Sequence, residues 1–395
     1  MPVSIIYPSN IKANSNLQGS IPHELNYLSW LSELDLSYNK LTGTIPNMGL
    51  MSSLTSFVAN NNILGGTLPE SIFNLPRLKK LALFSNQELT GPIPPTRIPS
   101  GSALEMLDIY DCHLTGPLPD TFSAMDKLKT VVLFNHAMTG QVPTSLLALS
   151  NVEVISLEAN QLMGTIPLSI QQATNLKFLR LARNHLTGNL PSVLGNLTLL
   201  VSLRLESNAF TGHIPTFSEE SKLQELHVEN NFLTGSVETF LTNAPRDFWY
   251  LYVGNNSFTG SIPTWIGKFT ELMSFDASRN YFTGSIPTEV GTMHSLERLE
   301  LSYNLMTGTL PAELAMASGL KRLDVANNQF HGTIPQVYQG LHDLGKGLKS
   351  GKLSRCFLCA CLLKLTPVYS FSRAAQKQLH RKFDCHLLPT RYILS

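Results

Sequence analysis

The sequence is sparing with charge: 14% of its 395 residues are Asp, Glu, Lys or Arg, and the formal net charge is +1. It has no run of eighteen or more apolar residues, which leaves no segment able to cross a bilayer as a helix. Its start, MPVSIIYPSNIKANSN, lacks the basic residues and long apolar stretch of a secretory signal. Of the five cysteines, only Cys112 lies before residue 350. There is no GxGxxG or Walker phosphate loop, no HRD or DFG kinase signature, and no HExxH or GxSxG motif. Asp and Glu are scattered over positions that read as a solvated face. The sequence therefore offers no catalytic residues, no cofactor site and no metal site at a recognised spacing, and it does not read as an enzyme.

What it has is a period. Aligned on the asparagine of LxxLxLxxNxL, the pattern places Asn39, Asn62, Asn86, Cys112, His136, Asn160, Asn184, Asn208, Asn231, Asn256, Asn280, Asn304 and Asn328 at one phase, with steps of 23 to 26 residues. Fourteen of the 26 glycines fall at a TG-type position in the same phase, and 13 of the 23 prolines follow shortly after. Such regularity is the mark of a solenoid, in which each repeat packs on its neighbours. Length alone suggests two or three domains, but the period suggests one long array.

The alternating part of LxxLxLxxN predicts a short strand with Leu inward and x outward. Stacked repeats then form a parallel sheet. The inward Asn must pair with backbone groups of the adjoining turns, as buried polar groups do. In LTGxIP, Leu and Ile enter the core, Gly takes a conformation other residues resist, and Pro ends the strand before an irregular or helical return. Cys112 and His136 replace Asn on the ladder and read as structural substitutes. Val237-Glu238 replaces Ile-Pro, an extra residue follows Asn86, and residues 92–106 stretch one return.

The full unit, LxxLxLxxNxLTGxIPxxLxxLxx, resembles the plant-type class of leucine-rich repeats, found in receptor-like kinases, receptor-like proteins and polygalacturonase inhibitors. The resemblance covers roughly residues 5 to 345. It implies an α/β solenoid, a leucine-rich repeat horseshoe or superhelix of about 13 to 14 repeats with its parallel sheet on the concave face. By resemblance the function is ligand recognition for signal perception, with a protein, peptide or glycan ligand and a possible co-receptor. The alternative is a secreted polygalacturonase-inhibitor-like protein or a scaffold.

On that face Phe84, Tyr110 and Phe134 fall on three successive repeats and should be exposed anchors. Arg180 and Arg204 share a column with His227, flanked by Glu206 and Glu229 and followed by Tyr250 and Tyr252. The two arginines suit a carboxylate or phosphate ligand, or else simply neutralise the glutamates across the sheet. Asn196 and Asn255 head glycosylation sequons, and weakly favour an extracellular setting.

The first 20 residues enter a repeat halfway, which suggests an N-terminally incomplete product, followed by the array at 21–344. From Leu341 onward ten Lys/Arg face two Asp/Glu, a balance of +8 that leaves −7 before it. An acidic array argues against nucleic acid. In the basic tail, 345–395, the period is lost. CFLCAC with His380 and His386 sketches a zinc site, and CFLCACLLKL an acylated membrane segment. The tail also lacks the capping cysteine pair that the resemblance implies, which favours disordered chain or a reading frame running past its coding sequence. The expected location is the cell wall or the outer side of the plasma membrane, with membrane attachment only through a missing segment.

Overall fold

The computed structural model describes residues 15–94, 101–333, 335 and 337. The tail from 345 and the first fourteen residues lie outside them. Two compact units are distinguished: Met1–Leu233 with Asn243–Pro245, and Thr234–Thr242 with Arg246–Ser395.

Each LxxLxLxxN block yields a strand of three residues, because its middle residue is driven into the core while its neighbours face outward. In the first unit these strands run from Glu33–Asp35 to Glu225–His227, and in the second from Tyr250–Tyr252 to Arg322–Asp324. Their inward residues are apolar: Leu34, Phe57, Leu81, Leu107, Val131, Ile155, Leu179, Leu203 and Leu226 are fully buried. All pairing is parallel and in register, as in Phe178↔Ser202, Leu179↔Leu203 and Arg180↔Arg204.

The ladder asparagines close the turn below each strand. Asn184 donates from Nδ2 to the carbonyls of Leu157, Leu181 and Ala182 at 2.9, 3.1 and 3.2 Å, and its Oδ1 accepts from the Leu162 N–H at 3.0 Å. Its amide thus ties two consecutive repeats together, which satisfies a buried polar group and several turn carbonyls at once. Cys112 takes the same role weakly, its thiol 3.4 Å from the Tyr110 carbonyl. Burial pushes that thiol up to about 11, so it stays protonated and inert. His136 sits with Nδ1 2.9 Å from the Cys112 carbonyl and Nε2 2.8 Å from that of Ile109.

Two features depart from the sequence expectation. The residue before each ladder position, whatever its type, lies in the left-handed region: Tyr38, Ala159 and Arg183 have φ of 54°, 52° and 54°. The turn geometry imposes this conformation at a cost that tertiary hydrogen bonds offset. Second, the LTG segment, expected to leave the strand, itself pairs in parallel across repeats. In the first unit Gly65–Gly66, Glu88–Gly91, His113–Pro117 and Ala137–Thr139 form one such sheet. Glycine is required there: Gly188 has φ +78°, and an added Cβ would meet Thr165 Cγ2 at 2.7 Å.

The returns are single helical turns that start at the repeat's proline, as in Leu168–Gln172 after Pro167 and Ser192–Asn196 after Pro191. Each tucks one apolar residue, Ile170 or Leu194, under the sheet. Where Val237-Glu238 replaces Ile-Pro, the return becomes the helix Val237–Leu241, capped by Ser236 accepting from the Glu238 N–H at 3.2 Å. Among the described residues no helix is long and apolar enough to cross a membrane.

Candidate recognition face of the strands

Outward positions repeat at constant height on successive strands, so like-numbered side chains stack in columns. Phe84, Tyr110 and Phe134 form one such column. The ring centroids of Phe84 and Tyr110 lie 4.4 Å apart with planes 4° from parallel, and those of Tyr110 and Phe134 4.4 Å apart at 13°. Strand spacing of about 4.8 Å accounts for this fit. The three rings are consequently half-buried rather than exposed as expected, because they cover one another. Tyr110 shows the effect of that cover: burial raises its phenol above the ordinary tyrosine value, with the negative charges of Asp108 and Asp111 adding to it.

Beside the stack, Asp108 is buried enough that its carboxyl is pushed up to about 6, with Lys80 partly opposing the shift. Its Oδ1 is buried without a hydrogen bond.

Further along the first unit the face becomes charged. Arg180 lies with its guanidinium carbon 5.4 Å from the centre of the Phe178 ring, and Arg204 Nη2 is 3.5 Å from Glu225 Oε2. Arg204 therefore does pair with a glutamate of the neighbouring strand. The Nε–H groups of both arginines are buried and make no hydrogen bond. Burial raises the carboxyls of Glu158 and Glu206, with Arg180 and Arg204 opposing at Glu158, and Glu158 adding to the rise at Glu206. His227 is buried, and burial followed by the charge of Arg204 holds it down at about 4. It is therefore neutral near pH 7.

Glu206, His227 and Glu229 come together: one ligand atom from each lies within 4.8 Å of the other two. In the sequence these residues stand only as charged positions on two successive repeats, and the pairing of Arg204 with His227 brings them together. In the second unit Tyr250 and Tyr252 stack along one strand at 6.1 Å. Asn196 and Asn255 are both exposed, as acceptor sites must be. Asn255 takes φ +51° at the turn before ladder residue Asn256.

Repeat by repeat, this is a leucine-rich repeat solenoid. The chain matches the Leucine Rich Repeat family over residues 30–48, 103–125, 175–197, 248–269 and 319–341. It is similar to Receptor-like protein 32 of Arabidopsis thaliana, 35% identical over 130 residues that make up 32% of this chain and 14% of that protein. Among solved structures it resembles PEPR1 bound to AtPEP1, with 34% identity, a TM-score of 0.78, and coverage of 82% of this chain and 45% of that one. It also resembles the plant peptide hormone receptor RGFR1 in complex with RGF2, with 30% identity and a TM-score of 0.73, over 82% of this chain and 56% of that one. Its repeats are leucine-rich repeats similar to those of these plant receptors, and the chain spans only part of each of these proteins.

Proposed function

We propose that this chain is the ligand-recognition region of a plant receptor-like kinase or receptor-like protein, acting outside the cell without catalysis, and that its ligand is an extended peptide laid across the outward face of the strands. The repeat array at 21–344 would carry this role, with membrane attachment and any kinase supplied by parts of the protein beyond this sequence.

The observation that carries the reading is the column Phe84–Tyr110–Phe134 continuing on the same face into Arg180 and Arg204. An extended peptide rises about 3.3 Å per residue, so a short one crosses several strands and meets both the apolar and the charged columns. A peptide fits better than a glycan. Sugars bind aromatic residues by lying on a ring face, and here the faces are turned toward neighbouring rings, so edges are what the column offers to a ligand. Buried Arg Nε–H groups without an acceptor suit a ligand carboxylate or peptide carbonyl.

The test is a screen of the full chain against an immobilised library of synthetic 12- to 15-residue peptides, with polygalacturonase inhibition assayed in parallel. The expected result is a peptide whose binding falls when Tyr110 and Phe134 become Ala, by about 1 to 2 kcal/mol each. Binding that ignores both changes, or inhibition of polygalacturonase with no peptide bound, would overturn the proposal in favour of another face or of the inhibitor reading.

A further inference from the structure

The face carries a trio that peptide recognition does not call for. His227 and Glu229 are two residues apart around the end of one strand, and strand periodicity turns both to the same side. Glu206 occupies in the preceding repeat the place Glu229 holds in its own; Arg204 pairs with His227 in the register, and the Ser207 N–H donates to the Glu229 carbonyl at 2.9 Å. The three side chains therefore converge from two adjacent strands of a rigid sheet, with one donor atom from each inside 4.8 Å.

We propose that Glu206, His227 and Glu229 form a divalent-cation site, suited to Zn²⁺ or Mn²⁺. One imidazole and two carboxylates are donors that both ions accept. His227 Nδ1 and Glu229 Oε1 stand 4.0 Å apart, too far for a hydrogen bond. Two donors bound at about 2.1 Å to one ion lie roughly 3 to 4 Å from each other, so a contraction of about an ångström by side-chain rotation completes the set. A second observation points the same way: Glu206 Oε2 is buried and accepts no hydrogen bond from the protein, an arrangement that is costly unless a cation answers it. Arg204 shares the neighbourhood, but its guanidinium lies against Glu225, 3.5 Å away. Its charge also reaches Glu206 and His227, so an ion bound by the trio competes with it. The fourth and further positions would be open to water or to a ligand's carbonyl or carboxylate.

The test is titration of the full chain with Zn²⁺ alone and with Mn²⁺ alone, followed by calorimetry and by the metal-dependent rise in melting temperature. Three variants are compared: Glu206→Gln, His227→Gln, and a full-length chain with Cys356, Cys359, Cys361 and Cys385 all changed to Ser, which removes the tail thiols as a rival site. The proposal expects one ion bound by the wild type and by the cysteine variant with equal affinity, and weakening by about tenfold or more in Glu206→Gln and His227→Gln. A Co²⁺-loaded chain should show no thiolate charge-transfer band. Glu206→Gln is nearly isosteric and removes a buried charge, so its melting in metal-free buffer should not fall below wild type, which keeps the comparison readable if His227→Gln unfolds. Failure of the wild type to bind either ion would overturn the site. So would unchanged affinity in Glu206→Gln, or loss of binding in the cysteine variant. None of these outcomes depends on whether a peptide ligand is found.

Discussion

Tyr110 and Phe134 lie face to face, 4.4 Å between centroids, and Phe84 covers the other side of Tyr110 at the same distance. The middle ring therefore has two stacking partners and each outer ring of the trio has one. Truncating Tyr110 to Ala should destabilise the array more than truncating Phe134. A double-mutant cycle between them, read by chemical denaturation, should give a coupling of about 0.5 to 1.5 kcal/mol. Strictly additive losses would show that the stack contributes area alone.

The ladder predicts a contrast between adjacent residues. Asn184→Leu strips the amide from three turn carbonyls and from the Leu162 N–H, and should cost roughly 1 to 3 kcal/mol. Arg183→Leu, exposed and next door, should cost under about 0.5 kcal/mol. Arg183→Val should cost about 1 kcal/mol more than Arg183→Leu, since a β-branched residue resists the φ of +54° found there. Equal melting temperatures for the Leu and Val variants would contradict the left-handed turn.

Asp108 sets a pH dependence. Its carboxyl titrates near 3.8 when unfolded and about 6 when folded. Between those values the folded chain holds more protons than the unfolded one, so this group's contribution is fully present below 3.8 and is lost as pH rises through 6. Asp108→Asn should abolish that loss. The check is the difference in melting temperature between wild type and variant at pH 4 and pH 7: the variant should gain at pH 7 relative to pH 4. Other carboxyls raised in the same way, Glu158 and Glu206, cancel in this comparison.

His136 should act in the opposite sense. Burial holds its ring below the ordinary 6.5, although two carbonyls oppose the shift. The unfolded chain then binds more protons below that value, and stability contributed by the neutral ring is lost as pH falls. His136→Asn restores the ladder residue used elsewhere, and should raise the melting temperature more at pH 5 than at pH 8. A larger gain at pH 8 would mean that the two carbonyls hold the ring protonated.

The period exposed the array, its inward leucines and its asparagine ladder, because each of those demands recurs every turn and leaves a repeated letter. The left-handed residue before the ladder left only a partial trace: Asn61, Asp111, Asn135, Asn230, Asn255 and Asn327 are types that tolerate it, and the others are not. Tyr38, Ala159 and Arg183 share a conformation without sharing chemistry, since the hydrogen bonds around them, and not their own preference, fix φ. Pairing of LTG segments was hidden for a similar reason: three residues including Gly have little strand propensity, and register with the next repeat supplies it. At the face, the sequence set the three aromatic rings on neighbouring repeats but could not show that they would shield one another. The Glu206–His227–Glu229 trio was half visible as a charged column, and only the register turned it into a cluster.

The spacing of the strands has a consequence for how such a chain tolerates change. Lys80 pairs with Met106 across 26 residues, Phe178 with Ser202 across 24, and Ser202 with Glu225 across 23, yet all three pairings are in register. Extra residues fall between these strands, as where one more follows Asn86 ahead of the strand Glu88–Gly91. Insertions and deletions can therefore accumulate there without moving any side chain on the outward columns by so much as one row. Length drifts between the strands while the rows of outward side chains keep their line breaks.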